Sequence, residues 1–259
     1  LKWFTKVWEV ENQLKYFNNF YSDLSSFLNE IIVHNIGIHK FLNTAYEQNN
    51  WITKSSSNQV SCYMSSELLS INNPGLVNDK FYGLVNSSGR VNIQLLLKAF
   101  RHYCMSNKLL IDEEFDYKSL LFMSDSLSYK TINADKIIFC EGFKGIDNPF
   151  FNKIKFKLTK GELLIIYSKN LNLDKIIHSK FLFIPLGGDY YSVGATYDWK
   201  DISPENTLSG REKLINMLDS FLNIPYKIID HKSGIRPSTF DRRPIVGTHD
   251  KYTQMYILN

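Results

Sequence analysis

The sequence predicts an α/β chain with α+β character, and three observations carry that prediction. Several segments place apolar residues at intervals of three and four, which indicates amphipathic helices. Short apolar runs bounded by glycine, proline, serine and asparagine lie between them, and these are typical of strands. From residue 154 onward strand patterns dominate, with one helical interruption, which favours a long antiparallel sheet in the second half.

The helix predictions rest on apolar periodicity. Amphipathic helices are predicted over residues 8–29, 92–105 and 206–222, and a shorter helix over 46–54. The first of these segments contains neither glycine nor proline, so nothing in it interrupts a helix. The third places Leu214, Leu218 and Phe221 on one side, which predicts a face that packs on the core.

The strand predictions follow apolar runs between turn residues. Strands are predicted over residues 31–33, 81–86, 109–111, 119–123, 128–132, 136–140, 154–158, 162–167, 180–186, 189–196, 226–230 and 254–259. The pair Gly187-Gly188 predicts a hairpin between two of them, because glycine accepts the positive φ angles that tight hairpins need. No linker marks a clean domain boundary, so discontinuous domains are expected.

Composition limits the class of protein. The chain has 259 residues, of which 44% are hydrophobic and 22% charged, so a disordered or fibrous chain is excluded. No apolar run approaches the ~20 residues that a membrane span needs, so none is expected. The three cysteines are widely spaced, which argues against a disulfide framework or zinc site and favours a reducing cytoplasm.

Charge is unevenly distributed along the chain. Residues 1–150 carry 14 basic and 15 acidic side chains, whereas residues 151–259 carry 16 and 11. The second part therefore has a net charge of +5, which fits a small anionic ligand. An excess this mild is ordinary for a solvated surface, so nucleic acid is not expected as a partner on this evidence.

Several catalytic and binding motifs are absent from the sequence. The spacing of the 13 glycines excludes G-x-G-x-x-G, the Walker A loop and the G-x-S-x-G elbow. No histidine is directly followed by a glutamate, which excludes H-E-x-x-H. The six histidines show no metal-ligand spacing, so no metal site is predicted.

The arginines are the most informative charged residues. The chain has 24 lysines and 6 arginines, and three of the six, Arg236, Arg242 and Arg243, lie within eight residues. Guanidinium can hold a carboxylate or phosphate through two parallel hydrogen bonds, which ammonium cannot. The alternative interpretation is a surface pair of Asp241 with Arg242 in a turn, and both interpretations remain open on spacing alone.

The same segment resembles a known family. Residues 234–247 resemble the signature G-[LIF]-R-P…D-x-x-P-x-[ILV]-G near the C-terminus of FAD-dependent oxidoreductases of the D-amino-acid oxidase and glycine oxidase type. Other segments resemble the family's "I-V-P…V-G-A-T…D-W" hairpin (183–199), the strand ending "A-x-G" (134–142) and a following strand start (160–162). These matches follow the family's order and span about residues 80–259.

The resemblance implies an FAD/NAD(P)-binding-like domain, incomplete here, with a discontinuous antiparallel-sheet substrate domain. Its parts are expected at 1–88 (start of the substrate domain, with the long helix), 89–152 (inner part of the FAD domain), 153–233 (substrate-domain sheet and helix) and 234–259 (return to the FAD domain). The family's G-x-G-x-x-G segment and C-terminal end are absent, so the chain is expected to be a piece of a longer protein.

The resemblance also assigns site residues. Arg236 matches the arginine that grips the substrate carboxylate. Leu182 stands where the family often has a substrate-contacting tyrosine, so one of Tyr190, Tyr191 and Tyr197 is expected to compensate, and Tyr191 and Tyr197 are predicted as substrate-binding residues. The alternative is that these strand tyrosines serve in packing. The residues predicted to bind the cofactor are Gly142, Glu141, Pro237, Asp241 and Arg242. No catalytic side-chain base is predicted, because this chemistry requires none.

The function implied is FAD-dependent oxidation of an amine, amino acid or other small anionic substrate by hydride transfer to the flavin. The 259-residue piece alone is expected to be inactive. Two alternatives on the same fold are a redox-inactive binding protein and a tRNA-modification oxidase. An RNA-dependent activity would fall steeply with salt, whereas oxidation of a small molecule would not.

Overall fold

The computed structural model describes residues 9–77, 81–241 and 243–259. The α-helices in this part of the chain are α1 (Val10–Leu28), α2 (Ala45–Ser55), α3 (Ile93–Ser106) and α4 (Leu208–Asp219). The strands are β1 (Val33–Asn35), β2 (Ile38–Leu42), β3 (Met64–Ser70), β4 (Phe81–Val85), β5 (Gly89–Val91), β6 (Leu120–Phe122), β7 (Leu127–Tyr129), β8 (Ile132–Ala134), β9 (Ile137–Phe139), β10 (Thr159–Tyr167), β11 (Ile176–His178), β12 (Leu182–Gly187), β13 (Tyr190–Gly194), β14 (Lys227–Arg236), β15 (Val246–Thr248) and β16 (Met255–Leu258).

The chain forms two compact units, each built from three segments. Unit 1 contains the described residues of the ranges 1–111, 164–194 and 213–230, and unit 2 contains those of the ranges 112–163, 195–212 and 231–259. Among the described residues the largest sheet has eight strands in the order β14-β10-β13-β12-β11-β2-β4-β3. Six of these strands, all but β10 and β14, lie wholly within unit 1.

Unit 1 is organised around an apolar core on one face of this sheet. Alternate residues of the strands, such as Ile177, Phe183 and Val193, are fully buried there. Leu214 and Leu218 of α4 belong to the same cluster, so the predicted apolar face of this helix is the buried one. A smaller cluster forms where Trp51 of α2 packs with residues of β2 and β3.

Unit 2 contains two three-stranded sheets and a core rich in aromatic rings. The sheets have the orders β6-β7-β8 and β15-β16-β9, and β9 runs parallel to β16. Phe115 and Tyr129 stack with ring centroids 4.4 Å apart, and Phe139 packs against both Phe115 and Tyr117. Stacked and edge-to-face rings contribute packing beyond their buried area, so this cluster gives unit 2 a rigid interior.

Most long elements lie where the sequence predicts them, and several short ones do not. The hairpin is confirmed, with φ of +100° at Gly187 and +59° at Gly188. The strand predicted over 109–111 is wrong, since that segment is irregular. The strand predicted over 128–132 is two strands, because Lys130 adopts φ +53° and reverses the chain. The strand predicted over 154–158 is reduced to a single bridge at Phe156.

The predicted α+β character is confirmed by this mixture of helices with antiparallel and mixed sheets. The assignment of chain segments to a substrate domain and an FAD domain stays a prediction. In the described part of the chain no helix combines the length and apolar character that crossing a bilayer requires.

Candidate functional site

Unit 2 contains a cavity of about 650 Å³, a volume in the usual range for small-ligand sites. Cationic, hydroxyl and aromatic side chains predominate around it. The lining residues are Lys157, Thr159, Tyr197, Trp199, Arg236, Pro237, Ser238, Thr239, Phe240, Arg243, Pro244 and Asn259. Three of these are lysine or arginine, and no carboxylate belongs to the described lining. The cavity is therefore suited to an anionic ligand.

Backbone pairing along one strand builds the wall of this cavity. Lys160 exchanges two backbone hydrogen bonds with Asp198, at 2.8 and 2.9 Å. The amide of Thr196 donates to the carbonyl of Glu162, so Tyr197 comes opposite the start of β10. The amide of Lys157 donates to the carbonyl of Ser238, which aligns the segment after Arg236 with the residues just before β10.

Arg236 lies between a glycine and an aromatic ring. A Cβ at Gly161 would fall 2.6 Å from both Nη1 and Nη2 of Arg236, so the guanidinium rests directly on the backbone of β10. The ring centroid of Tyr197 lies 4.8 Å from Cζ of Arg236, which is a cation–π contact. The Nη1 atom is buried and has no hydrogen-bond partner among the described residues, so a donor of Arg236 remains for a ligand.

Gly161→Ala is expected to weaken ligand binding by displacing Arg236. The added methyl would overlap the guanidinium of Arg236. Because the long arginine side chain can move aside, we expect the substitution to displace its donor atoms rather than to unfold the protein. We expect the Kd for a small carboxylate ligand to rise about tenfold. The free energy of unfolding should change by less than about 1 kcal/mol.

Gly234→Ala is the matched control, because Gly234 lies in the same strand as Arg236 and a Cβ there would meet no atom within 4 Å. This variant should retain the Kd of the parent protein. Equal Kd values for the parent and both variants in titrations with the same carboxylate would show that Gly161 does not position Arg236.

The opposite face of β10 is anchored by buried charges. Lys160 is 1% exposed, and its Nζ donates to Oδ2 of Asp201 at 2.6 Å and to Oγ of Ser203 at 3.2 Å. Glu162 is 3% exposed and accepts hydrogen bonds from Thr207. Because side chains alternate along a strand, these two residues point away from Arg236 while holding Gly161 between them.

Glu162 also contacts His231 and the residue that caps the N-terminus of α4. Nε2 of His231 lies 2.8 Å from Oε2 of Glu162, and both side chains are nearly inaccessible to solvent. Thr207 donates to Glu162 through its amide at 3.0 Å and its hydroxyl at 2.7 Å, and it caps α4 by accepting from Gly210. A carboxylate at a helix N-terminus is stabilised by the helix dipole, so this network fixes the start of α4 against β10.

The ion pair of Lys160 with Asp201 should make stability depend on acid pH. The hydrogen bond from Lys160 lowers the pKa of Asp201 to about 2, with further hydrogen bonds from Ser203. A depressed carboxyl pKa stabilises the folded state above the unfolded pKa of about 3.9, and that contribution is lost as the pH falls toward 2.

Urea unfolding between pH 5 and pH 2 measures this contribution. We expect Asp201→Asn to unfold with a shallower pH dependence than the parent protein across that window. Glu205→Gln, which changes an exposed carboxylate nearby, should keep the parental slope. Parallel curves for Asp201→Asn and the parent protein would contradict the assignment.

The described segment after Arg236 contains two of the predicted cofactor-binding residues, Pro237 and Asp241. Oδ1 of Asp241 lies 2.8 Å from the hydroxyl of Thr239 and accepts from the amide of Arg243 at 3.1 Å. The hydrogen bond from the amide of Arg243, followed by that from Thr239, lowers the pKa of Asp241. Asp241 is therefore ionised when it holds this segment together. Pro237 lines the cavity, and Arg242 lies outside the described residues.

Glu141 and Gly142 lie near the cavity through Asn259. The side chain of Asn259 lines the cavity and donates to the carbonyl of Gly142 at 2.8 Å. Gly142 has φ +58°, and a Cβ there would meet no atom within 4 Å, so open space adjoins its backbone. Both carboxylate oxygens of Glu141 are engaged inside unit 2, one by the hydroxyl of Tyr117 and the other by Asn148.

Tyr191 does not join the other predicted substrate-binding residues. It is 3% exposed and packs against Phe183 in the core of unit 1, with ring centroids 5.3 Å apart. The two-residue period of β13 turns Tyr191 and Val193 toward the core, and Tyr190, 42% exposed, toward the other face. Tyr191 therefore acts in packing, whereas Tyr197, 61% exposed, lies at the cavity.

Solved structures with the same architecture decide the fold. Glycine oxidase from Bacillus cereus matches with a TM-score of 0.80 and 16% identity over 98% of this chain and 77% of its own. Glycine oxidase from Geobacillus kaustophilus matches with a TM-score of 0.75 and 15% identity, over 95% of this chain and 71% of its own. Iminodiacetate oxidase from Chelativorans sp. BNC1 matches with a TM-score of 0.74 and 14% identity, over 100% of this chain and 77% of its own. The chain has the glycine oxidase fold. No protein-family model matches the sequence.

The fold confirms the resemblance read from the sequence, and the site contains residues that the sequence did not single out. Lys157, Thr159 and Asn259 line the cavity without belonging to any motif segment that assigns them a role. Trp199 stood in the D-W segment and stacks near Tyr197, with ring centroids 6.3 Å apart. Among the described residues, no group of three or more histidine, cysteine, aspartate or glutamate side chains could hold a metal ion.

Proposed function

We propose that the protein is an FAD-dependent oxidoreductase that oxidises an amine or amino acid carrying a carboxylate. The observation that carries the proposal is the position of Arg236. Its guanidinium is fixed between Gly161 and Tyr197, and its buried Nη1 has no hydrogen-bond partner among the described residues. A fixed planar donor in a cationic cavity is the arrangement that recognises a carboxylate.

The names of the structural neighbours support this substrate class. They include glycine oxidase, iminodiacetate oxidase and an L-proline dehydrogenase, whose named substrates are small molecules carrying both an amino nitrogen and a carboxylate. We extend that substrate class to this chain as our proposal, because the chain has the same fold and an arginine at its cavity.

The cavity residues fit a flavin as well as a substrate. The open space beside Gly142, the turn from Pro237 to Asp241 and the amide of Asn259 would hold its ring system. When bound, FAD supplies the acceptor for the hydride that leaves the substrate carbon. The sequence has no G-x-G, so we assign no pyrophosphate site within this chain.

The side chains of this chain bind and orient rather than transfer protons. Arg236 would hold the substrate carboxylate, and Tyr197 and Trp199 would flank the substrate with aromatic surface. Lys157 and Arg243 add positive charge to the same cavity, which favours an anion over a neutral amine. Orientation of a bound substrate can supply a large part of a rate enhancement, so no side-chain base is needed.

The visible absorption spectrum of the complete protein tests the proposal, with the 259-residue chain measured beside it. We expect flavin bands near ~450 nm in the complete protein. Anaerobic addition of glycine, proline or iminodiacetate should bleach those bands for at least one of them. A colourless protein that also fails to take up added FAD would overturn the proposal, as would flavin bands that none of a broad set of amino and imino acids bleaches.

A further inference from the structure

The cavity of unit 2 contains more positive charge than a single carboxylate neutralises. Its described lining includes Lys157, Arg236 and Arg243 and no carboxylate. A substrate with one carboxylate, held by Arg236, would balance one of these three charges. The excess favours a ligand that carries a second acidic group.

Lys157 is the cation available to such a second group. The amide of Arg243 and the hydroxyl of Thr239 lower the pKa of Asp241 by hydrogen bonding, and the charge of Arg243 lowers it further. Arg243 therefore already has a carboxylate nearby. Nζ of Lys157 instead lies 5.7 Å from the ring centroid of Phe240, another residue of the cavity lining, and it forms no ion pair with a carboxylate in the described part of the chain.

Lys157 lies on the same side of the chain as the guanidinium of Arg236. Phe156 forms an antiparallel bridge with Thr239, which keeps the backbone extended just before β10. Because side chains alternate along an extended chain, the positions of Lys157 and Gly161 face the same side. The guanidinium of Arg236 rests on Gly161, so the two cations follow one another along a single face.

This spacing determines the length of the ligand. About 13 Å of extended chain separates the backbone of Lys157 from that of Gly161, on which the guanidinium of Arg236 rests. With a charge-assisted hydrogen bond of about 2.8 Å at each end, about 7 Å remain for the ligand. An extended diacid of five or six carbon atoms spans this interval between its outer oxygens, whereas malonate is shorter.

Other residues of the lining can hold the methylene groups of such a diacid. Trp199 and Phe240 are 61% and 71% exposed, so both present aromatic surface at the cavity. Thr159, which lies between Lys157 and Gly161, is buried and adds no charge. A diacid can therefore place its two ends on the cations and its apolar middle against the aromatic rings.

We propose that the substrate is an amino dicarboxylic acid of five or six carbon atoms, with one carboxylate bound by Arg236 and the other by Lys157. The inference rests on the proposed function for the reacting amine, and it assigns Lys157 as a specificity-determining residue of the same site. A charge-assisted contact at each end fixes both the orientation and the length of the substrate.

Calorimetric titration of the complete protein tests this proposal with acids that have no amine to oxidise. The probes are adipate, hexanoate, which has the same carbon chain and one carboxylate, and malonate, which has two carboxylates on a shorter chain. At equal ionic strength we expect adipate to bind about tenfold or more tightly than either, because only adipate reaches both cations. A Kd for adipate equal to that of malonate or of hexanoate would overturn the proposal.

Lys157→Gln should abolish this preference, so that the ratio of the Kd for hexanoate to the Kd for adipate falls to near one. Lys153→Gln is the matched control, because Lys153 lies outside the described lining and pairs with Asp250 at 3.4 Å. It removes the same charge and should keep the parental ratio. A parental ratio in Lys157→Gln, or an equal fall in both variants, would overturn the proposal.

Anaerobic flavin bleaching separates this inference from the proposed function. Bleaching by amino acids with one carboxylate, combined with equal Kd values for the three acids, would overturn this inference and leave the proposed function intact. A colourless protein that fails to take up FAD and still prefers adipate would overturn the proposed function and retain the two-carboxylate site.

Discussion

Arg236→Ala in the complete protein is expected to raise the KM for a carboxylate substrate about tenfold or more, with flavin still bound. Losing a hydrogen bond to a charged group costs about 1.5–3 kcal/mol, and each 1.4 kcal/mol is a factor of ten. A carboxylate away from the reacting carbon is held similarly in the ground and transition states. We therefore expect kcat to change less than KM.

Arg236→Lys separates charge from geometry. Lysine retains the positive charge but cannot form the two-pronged contact or stack flat between Gly161 and Tyr197, so an intermediate KM is expected. Arg101→Ala, which removes an exposed arginine of α3, should leave KM unchanged. The measurement is steady-state kinetics together with the Kd of a non-reacting carboxylate, read from the flavin spectrum. An unchanged KM and Kd in Arg236→Ala would remove Arg236 from the substrate site.

Glu162→Ala is expected to lower the free energy of unfolding by about 3 kcal/mol. The substitution leaves the amide and hydroxyl of Thr207 without their acceptor and removes the carboxylate whose Oε2 lies 2.8 Å from Nε2 of His231, and breaking such a buried network costs about 3–5 kcal/mol. It also removes a negative charge from the start of α4, which the helix dipole favours.

Glu212→Ala is the control for this prediction, because it removes an exposed carboxylate from the same helix. Its effect should stay within about 0.5 kcal/mol. Both variants would be compared with the parent protein by urea unfolding. A loss below about 1 kcal/mol in Glu162→Ala would show that the buried carboxylate contributes little to stability.

Local sequence patterns predicted those parts of the fold that depend on neighbouring residues. The long helix over Val10–Leu28 and the glycine hairpin after β12 follow from helical periodicity and from the positive φ that glycine accepts. Arg236 and Tyr197 were also accessible from sequence, since each lies in a segment that resembles a known motif. The structure places these two at one cavity, where their cation–π contact follows.

The prediction for Tyr191 failed, and the role of Gly161 was not predicted, because both depend on orientation or on distant contacts. The sequence does not state which face of β13 is buried, and the tertiary structure turns Tyr191 into the core. The role of Gly161 depends on the pairing of β10 with β14, which brings Arg236 onto its backbone. A one-residue change of register would exchange the two faces of a strand, so these relations cannot be obtained from a local pattern.

By itself, therefore, the sequence determined the elements, the motif that contains Arg236 and the absence of a G-x-G loop. The tertiary structure alone decided which charged side chains are buried and which residues become neighbours. Lys160 and Glu162 look like ordinary surface residues in the sequence, yet both are enclosed and paired. Lys40 and His178 lie far apart in the chain and become neighbours only because β2 and β11 pair in parallel, since burial and pairing are set by non-local contacts.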